Sequence, residues 1–512
     1  MFDPSKALVK LIDRILNPIT MYRLVLYYLL TLLFISAFMC SLGLLPYSPV
    51  ALVLSTLFIL GVCWVTNTIF SKVFRAPTNV ESVYISALIL ALIISPAGSL
   101  HDLAFRGWAS VWAMASKYIF AIGKKHLFNP VAFAVALTAL TLNQTASWWV
   151  GSGPLLPFVL IGGILIVRKL GRFHLVLAFL LTALIATTGF AVLQGNDILN
   201  TWQQIALYSP LFFFAAIILT EPLTTPPTQA LQIAYGVMVG LLFVPQLHFG
   251  SFYLTPELAI VFGNLFSYLV SPKTKLILTL KKRIQIAPDT FDFIFVPNRR
   301  VAFAPGQYME WTLGHQSPDS RGNRRYFTLA SSPTEDNLRL GVKFYQHSSS
   351  FKRSMLAMDA NTEIVAAQLA GDFVLPTNPN QRCILIAGGI GITPFRSMIK
   401  FLLDANQKRP ITLFYANRSP NDIVYKDVFD QAQKRLGIKT IYTLTDPAQV
   451  PSNWTGKVGY INSRMIREQV PEYRKCLYYL SGPNAMVTAY QDTLLKMGVP
   501  QGQIKMDYFP GF

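Results

Sequence analysis

RRYFTLASSP (residues 324–333) and, about sixty residues further on, IAGGIGITPF (residues 386–395) are the strings from which the rest of the chain is read. The first places a cation (Arg325), an aromatic (Phe327, after Tyr326) and a hydroxyl (Thr328) within one strand-like run. An isoalloxazine ring on a nucleotide anchor needs those three groups. Phe327 would stack on the ring, Thr328 would hydrogen-bond near its N5, and Arg325 would compensate the FAD pyrophosphate. The second string is an apolar strand, a glycine turn and a helix start. Gly388, Gly389 and Gly391 allow close backbone approach to a pyrophosphate, Thr393 can donate to phosphate, and Pro394 suits the first helical turn. The turn is not a GxGxxG fingerprint, so it gains its meaning from its neighbours.

Working outward, residues 273–378 read as short strands with Pro and Gly turns, which suits a small antiparallel β-barrel holding FAD. FAPGQYMEW (303–311) is one strand with its turn, and VKFYQHSSSFKRSML (342–356) places Ser349 and Ser350 at a helix start facing the pyrophosphate. Residues 379–512 alternate strands and helices, as in an α/β nucleotide-binding domain with a parallel sheet and its ligand at the strand ends. ITLFYANRS (411–419) is a second strand, and YYLSGPNAMV (478–487) a further strand with a Gly482–Pro483 turn into a helix.

These five motifs in this order resemble the ferredoxin–NADP reductase superfamily over about 235 residues. The resemblance implies FAD on the barrel and hydride delivery from NADH or NADPH. It places Ser481, where the superfamily commonly has Cys, beside the nicotinamide as a catalytic contact with Thr328. It also offers a C-terminal aromatic from DYFPGF, Phe509 or Phe512, as a cover for the flavin. Arg418 and Ser419 suit a 2′-phosphate, while Asp422 tips the balance toward NADH.

The first half is different. Residues 1–272 hold 13 Lys+Arg and 7 Asp+Glu, and ten apolar segments: 23–45, 49–70, 80–96, 103–122, 128–142, 154–168, 173–193, 205–221, 231–247 and 254–271. They predict an α-helical membrane bundle of about ten spans over 23–272, the shorter segments falling below the ~20 residues of a straight span. Lys and Arg cluster in alternate loops, Arg106 excepted, which places both termini and the reductase domains in the cytosol at a cytoplasmic (inner) membrane. Residues 1–22 include PSKALVKLIDRILN (4–17), an amphipathic helix for the membrane interface. The net charge of +19 is assigned to loops beside an anionic bilayer, because no basic-aromatic recognition motif for nucleic acid is present. The cysteines Cys40, Cys63, Cys383 and Cys476 form no CxxC, so neither an iron–sulfur cluster nor another metal site is expected.

KHLFNPVAF (125–133), SVYISALILALIISP (82–96) and IILTEPLTTPPT (217–228) resemble the B membrane subunit of the sodium-pumping NADH:quinone oxidoreductase and the D membrane subunit of the Rnf complex, over about 270 residues. That resemblance implies a second flavin, FMN or riboflavin, in the bundle, with Asn129 and Glu221 at its cavity. The loop LNQTASWWVGSG (142–153) lacks the D-x-x-S-G-A-T pattern for covalent FMN, so a non-covalent flavin is expected. The electrons would pass to a membrane quinone or to an extracytoplasmic flavoprotein or metal acceptor. Two alternatives stand beside this wire. One is a haem-containing, ferric-reductase-like enzyme, which needs paired axial histidines where this half offers His101, His126, His174 and His248 at span ends. The other is a redox-driven ion transporter.

Overall fold

The computed structural model describes residues 12, 16, 19–74, 80–99, 102–122, 125–244, 246–250, 252–271, 276–315, 319, 323–346 and 348–509. The expected interfacial helix of residues 1–22 lies almost wholly outside this set. The chain divides into two compact units, Met1–Lys273 and Thr274–Phe512.

The first unit is helical. Its principal helices are α1 (Met21–Ser41), α2 (Pro49–Val73), α3 (Val80–Ile93), α4 (Asp102–Ile119), α5 (Pro130–Leu142), α6 (Leu156–Leu170), α7 (Phe173–Leu193), α8 (Ile198–Tyr208), α9 (Leu211–Phe213), α10 (Gln229–Leu242) and α11 (Pro256–Val270). Local chemistry sets several starts. Thr20, Ser48 and Asn129 accept backbone N–H groups at the heads of α1, α2 and α5, and Pro stands in the first turn of α2 and α5. Every apolar segment of the sequence overlaps a helix, but length and composition qualify fewer as spans than expected. Among the described residues four helices are long and apolar enough to cross a membrane, or five if the bent pair α8–α9 counts as one. Residues 81–93, α5, α10 and α11 are shorter apolar helices. Ser209–Pro210 interrupts the eighth segment by a 60° bend, and α9 continues as a buried π-helical turn at Phe214–Ile218. Apolar periodicity carries no trace of that break. On α1 and α2 the inner positions Leu29, Leu32, Leu52 and Ile59 are buried while Phe34, Phe38, Leu54 and Leu57 face outward, the arrangement that lipid contact calls for.

The second unit holds two six-stranded sheets. The first is antiparallel: β1 (Leu276–Ala287), β2 (Thr290–Pro297), β3 (Tyr308–Thr312), β4 (Arg324–Thr328), β5 (Leu338–Lys343) and β6 (Glu363–Ala370), in the order β4-β3-β6-β1-β2-β5, with α12 (Ser350–Leu356) between β5 and β6. Phe293, Phe295, Met309, Trp311 and Phe351 fill its core. The expected barrel takes the form of a sheet whose edge strands meet through the Ala330 N–H to Arg339 carbonyl bond (3.0 Å) and the Arg339 N–H to Ser331 hydroxyl bond (3.2 Å); among the described residues no ladder pairs β4 with β5.

The second sheet is parallel: β7 (Cys383–Gly388), β8 (Ile411–Asn417), β9 (Lys439–Leu444), β10 (Lys457–Val458), β11 (Leu477–Pro483) and β12 (Ile504–Phe509), in the order β10-β9-β8-β7-β11-β12. Helices α13 (Thr393–Asp404), α14 (Lys426–Leu436) and α16 (Asn484–Lys496), with the shorter α15 (Ser463–Gln469), cover its faces. β7 is buried throughout, as a central parallel strand must be. Cys383 and Cys476 are buried on opposite faces of this sheet and unpaired, and Cys40 and Cys63 are likewise buried.

Candidate functional site

The two deciding strings fold next to each other. RRYFT is β4, its neighbour in the sheet being β3 with Tyr308 opposite Thr328. Period-two alternation sends Arg325 and Phe327 one way and Tyr326 and Thr328 the other. On the first face the Arg325 guanidinium lies 5.3 Å from the centroid of the Phe351 ring, and the Phe327 ring lies 5.9 Å from it. Arg325 also pairs with Asp319 at 3.1 Å, and the Ser350 N–H donates to the other oxygen of that carboxylate at 3.0 Å. A cation and a helix-start N–H thus converge on the Asp319 carboxylate. Ser349 is engaged locally: its hydroxyl caps α12 by accepting the Lys352 N–H. The Tyr326 hydroxyl bonds buried Glu310 at 3.0 Å, while its ring is half exposed and stands edge-on to Tyr308 at 5.7 Å.

On the other face of β4, buried Thr328 donates to the Asp507 carboxylate at 3.4 Å. Asp507 stands on β12, directly opposite Ser481 of β11. Burial pushes the Asp507 carboxyl up to about 6, the Thr328 hydrogen bond opposing this in part. The chain's C-terminal strand therefore brings an acid to the proposed N5 contact, across 179 residues of sequence. Sequence reading attended to the aromatics of DYFPGF and passed over this acid. Phe509 ends β12 opposite Pro483, but its side chain, like Phe512, lies outside the described residues.

IAGGIGITPF folds as expected into strand, turn and helix, with Pro394 in the first turn of α13. The glycines divide by task. Gly389 has φ +52° and a Cβ there would meet open space, so its backbone is accessible to a ligand. At Gly391 a Cβ would collide with the Ser481 carbonyl oxygen, and at Gly388 one would strike Met486. Those two glycines let the ends of β7 and β11 close on each other beside the Gly482–Pro483 turn. Thr393 spends its hydroxyl on the Ile390 carbonyl at 3.2 Å. The Ser481 hydroxyl and the Asn417 side-chain oxygen are buried at the carboxyl ends of β11 and β8, with no hydrogen-bond partner among the described residues. Orphaned polar atoms at the strand ends of a parallel sheet fit a nucleotide that would satisfy them.

In the helical unit Asn129 and Glu221 meet. Asn129 Nδ2 donates to Glu221 Oε2 at 2.8 Å, His126 Nε2 lies 3.3 Å from Oε1, and the Thr224 hydroxyl bonds Oε2 at 3.1 Å. The Asn129 N–H reaches Asn264 Oδ1 at 2.6 Å, and Asn264 reaches the buried Tyr235 hydroxyl at 3.1 Å. Arg172 binds the Thr220 carbonyl (2.8 Å) and the Thr225 hydroxyl, closing the LTEPLTT turn. This network joins the head of α5, the turn after the π-helical segment, and α10 and α11. Sequence reading missed a buried acid, Glu257, which accepts the Trp148 indole N–H at 2.6 Å; Trp148 itself has φ +50°. Of the histidines weighed as haem ligands, His126 is bound to Glu221, His174 to Gln232 at 2.7 Å and His248 to the Gly250 carbonyl at 3.0 Å; His101 lies outside the described residues. Among the described residues no three His, Cys, Asp or Glu side chains group as a metal site.

Comparison with known proteins agrees with both halves. Residues 385–492 match the oxidoreductase NAD-binding domain, and residues 151–275 match the NQR2, RnfD, RnfE family. The match to the oxidoreductase NAD-binding domain thus lies in the second unit, and the match to the membrane-protein family lies almost wholly in the helical unit. The chain is similar to a flavohemoprotein of Oceanobacillus iheyensis, 25% identical over 244 residues, covering 44% of this chain and 57% of that one. It is also similar to NADH-cytochrome b5 reductase 1 of Cryptococcus neoformans, 31% identical over 192 residues, covering 35% of this chain and 63% of that one. The chain thus spans about three-fifths of the length of these relatives. Among solved structures, the FAD/NAD-binding domain of nitric oxide dioxygenase from Vibrio cholerae aligns with 46% of this chain and 98% of its own, at TM-score 0.40 and 19% identity.

Proposed function

We propose that this chain is a membrane-bound flavoprotein oxidoreductase that passes electrons from cytosolic NAD(P)H through FAD to a non-covalent flavin in the helical unit, and on to a quinone or an extracytoplasmic acceptor. The observation that carries the reading is the meeting of Thr328 and Asp507. A flavin-type strand and the carboxyl edge of a nucleotide-type sheet converge there, in a unit matched to the oxidoreductase NAD-binding domain. Similarity to a relative named NADH-cytochrome b5 reductase 1 supports the same chemistry.

Arg325 and the Ser350 N–H would hold the FAD pyrophosphate, with Phe327 or the exposed ring of Tyr326 against the isoalloxazine. FAD, when bound, supplies a centre that takes two electrons as hydride and releases them singly. Gly389, Ser481 and the Asn417 amide would orient the NAD(P)H that enters at the ends of β7, β8 and β11. Thr328 and Asp507 would hold a proton beside the reacting edge, the carboxyl acting as its reserve. In the helical unit, the match to the NQR2, RnfD, RnfE family and the partly buried Asn129–Glu221–His126 network support a redox cofactor site. Non-helical backbone and ionisable groups among apolar helices occur where they line a functional cavity. The loop charge pattern supports cytosolic placement of both termini and of the reductase unit.

Anaerobic stopped-flow mixing of the purified chain with NADH and with NADPH tests the first transfer. The reading requires bleaching of the flavin spectrum by at least one of them within seconds. A flavin-loaded protein that neither nucleotide reduces would refute it.

A further inference from the structure

We infer that Arg396 and Ser397 form a positioning clamp, tying the strand that would contact flavin N5 to the helix that follows the nucleotide loop and so setting the hydride-transfer distance. The inference rests on the reductase reading above. Arg396 and Ser397 stand on α13, three and four residues after Thr393. Ala330 and Ser331 follow Thr328 by two and three residues. The Ser397 hydroxyl donates to the Ser331 carbonyl at 2.6 Å, and Arg396 Nη1 donates to the Ala330 carbonyl at 2.7 Å. Both side chains are buried. Two adjacent residues just after one string thus grip two adjacent carbonyls of the other.

Further contacts hold the clamp itself. Glu335 takes both terminal nitrogens of Arg396, at 2.5 and 2.9 Å, a bidentate pair that fixes the plane of the guanidinium. Burial alone would raise the Glu335 carboxyl, yet Arg396 beside it holds it below the usual range. Arg396 lies over the Tyr425 ring at 5.3 Å, and the Tyr425 hydroxyl bonds Asp292 at 3.1 Å, which in turn pairs with Arg339 at 2.8 Å. Alongside opens a cavity of about 540 Å³ lined by Ile284, Asp292, Arg339, Lys400 and Tyr425 among others. Close packing of Gly341 against Thr393 and Ile390 brings the sheets together nearby, and the polar contacts of Arg396 and Ser397 add a directional hold on the spacing between the segment after β4 and α13. Hydride transfer is steeply sensitive to such spacing, since misplacement by 1 Å can cost on the order of 10²-fold in rate.

The test compares Ser397→Ala and Arg396→Lys with Thr334→Ala in the full-length protein. Thr334→Ala deletes another contact to α13, the 2.5 Å bond to Asp404 at its last turn, and leaves the bonds to the Ala330 and Ser331 carbonyls in place. Four readouts are taken: FAD bound per chain, the Kd for NADH, the rate of flavin reduction at saturating NADH, and the long-wavelength charge-transfer absorbance of the flavin–nicotinamide complex. The clamp predicts that Ser397→Ala and Arg396→Lys keep FAD content and Kd but reduce flavin about tenfold or more slowly, with a weakened charge-transfer band, while Thr334→Ala matches the parent. Unchanged rate and band per bound flavin in Ser397→Ala would overturn the clamp while leaving the reductase reading intact. An equal loss in all three variants would also overturn it, since the contact would then be generic. A parent protein whose flavin NADH and NADPH both leave oxidised would overturn the reductase reading and the clamp together.

Discussion

Replacing Asp507 by Asn should change how stability and flavin reduction respond to pH, in a direction fixed by the position of its carboxyl. The group is pushed from its ordinary 3.8 up to about 6 because burial disfavours its charge and the Thr328 hydroxyl at 3.4 Å compensates only in part. The folded protein therefore binds this proton more tightly than the unfolded chain. The resulting stabilisation is complete below pH 4 and is lost as pH rises through about 6; above that, the folded state bears the cost of a buried charge. Moving from 3.8 to about 6 corresponds to about 3 kcal/mol. For a unit of this size that is about 6 to 12 °C in melting temperature. Asn keeps the shape and a hydrogen-bond partner for Thr328 but cannot ionise. Measured by thermal unfolding in detergent, Asp507→Asn should gain on the parent by that amount as the buffer moves from pH 4 to pH 7.5. In the parent, the rate of flavin reduction should show a titration near pH 6 that the variant lacks, because an ionised Asp507 holds the Thr328 proton away from the flavin edge. A gap in melting temperature that stays constant across this range, with the same rate profile in both proteins, would refute the argument.

Other perturbations probe separate parts of the account. Thr328→Ala should slow flavin reduction by about 10- to 10²-fold while NADH affinity stays the same, checked by stopped flow at saturating nucleotide. Glu221→Gln should spare electron transfer from NADH to a soluble dye and impair delivery through the membrane, because it weakens the contacts to His126 and Asn129; equal loss of both activities would indicate misfolding instead. Gly391→Ala should cost about 1–3 kcal/mol or more of stability, seen as a lowered melting temperature, since its Cβ would collide with the Ser481 carbonyl oxygen.

What was legible in the sequence was what short-range pattern encodes. The apolar runs overlap helices, RRYFT is a strand, and the glycine turn of 388–391 joins β7 to a helix with Pro394 in its first turn. Asn129 was read correctly as a helix start, and its partnership with Glu221 joins residues 92 apart. Long-range convergence was not legible. Asp507 reaches Thr328 only because β12 pairs with β11, and nothing local to DYFPGF announces that pairing. The close approach of Gly388 to Met486 and of Gly391 to the Ser481 carbonyl, neighbours set by sheet order, was likewise not legible. Ser349 and Thr393 have hydroxyls that serve nearby backbone, an alternative always open to such residues. The break at Ser209–Pro210 and the π-helical turn after it escaped because hydropathy averages over a window longer than the defect.

The measurement that bears most directly on the proposed electron path is the cofactor content of the full-length protein purified in detergent. A visible spectrum would be followed by acid denaturation, identification of the released flavins, and a check of the polypeptide for bound fluorescence. The account predicts FAD together with FMN or riboflavin, both released by acid. FAD alone, or a haem band in its place, would contradict a second flavin in the helical unit and with it the path through the membrane.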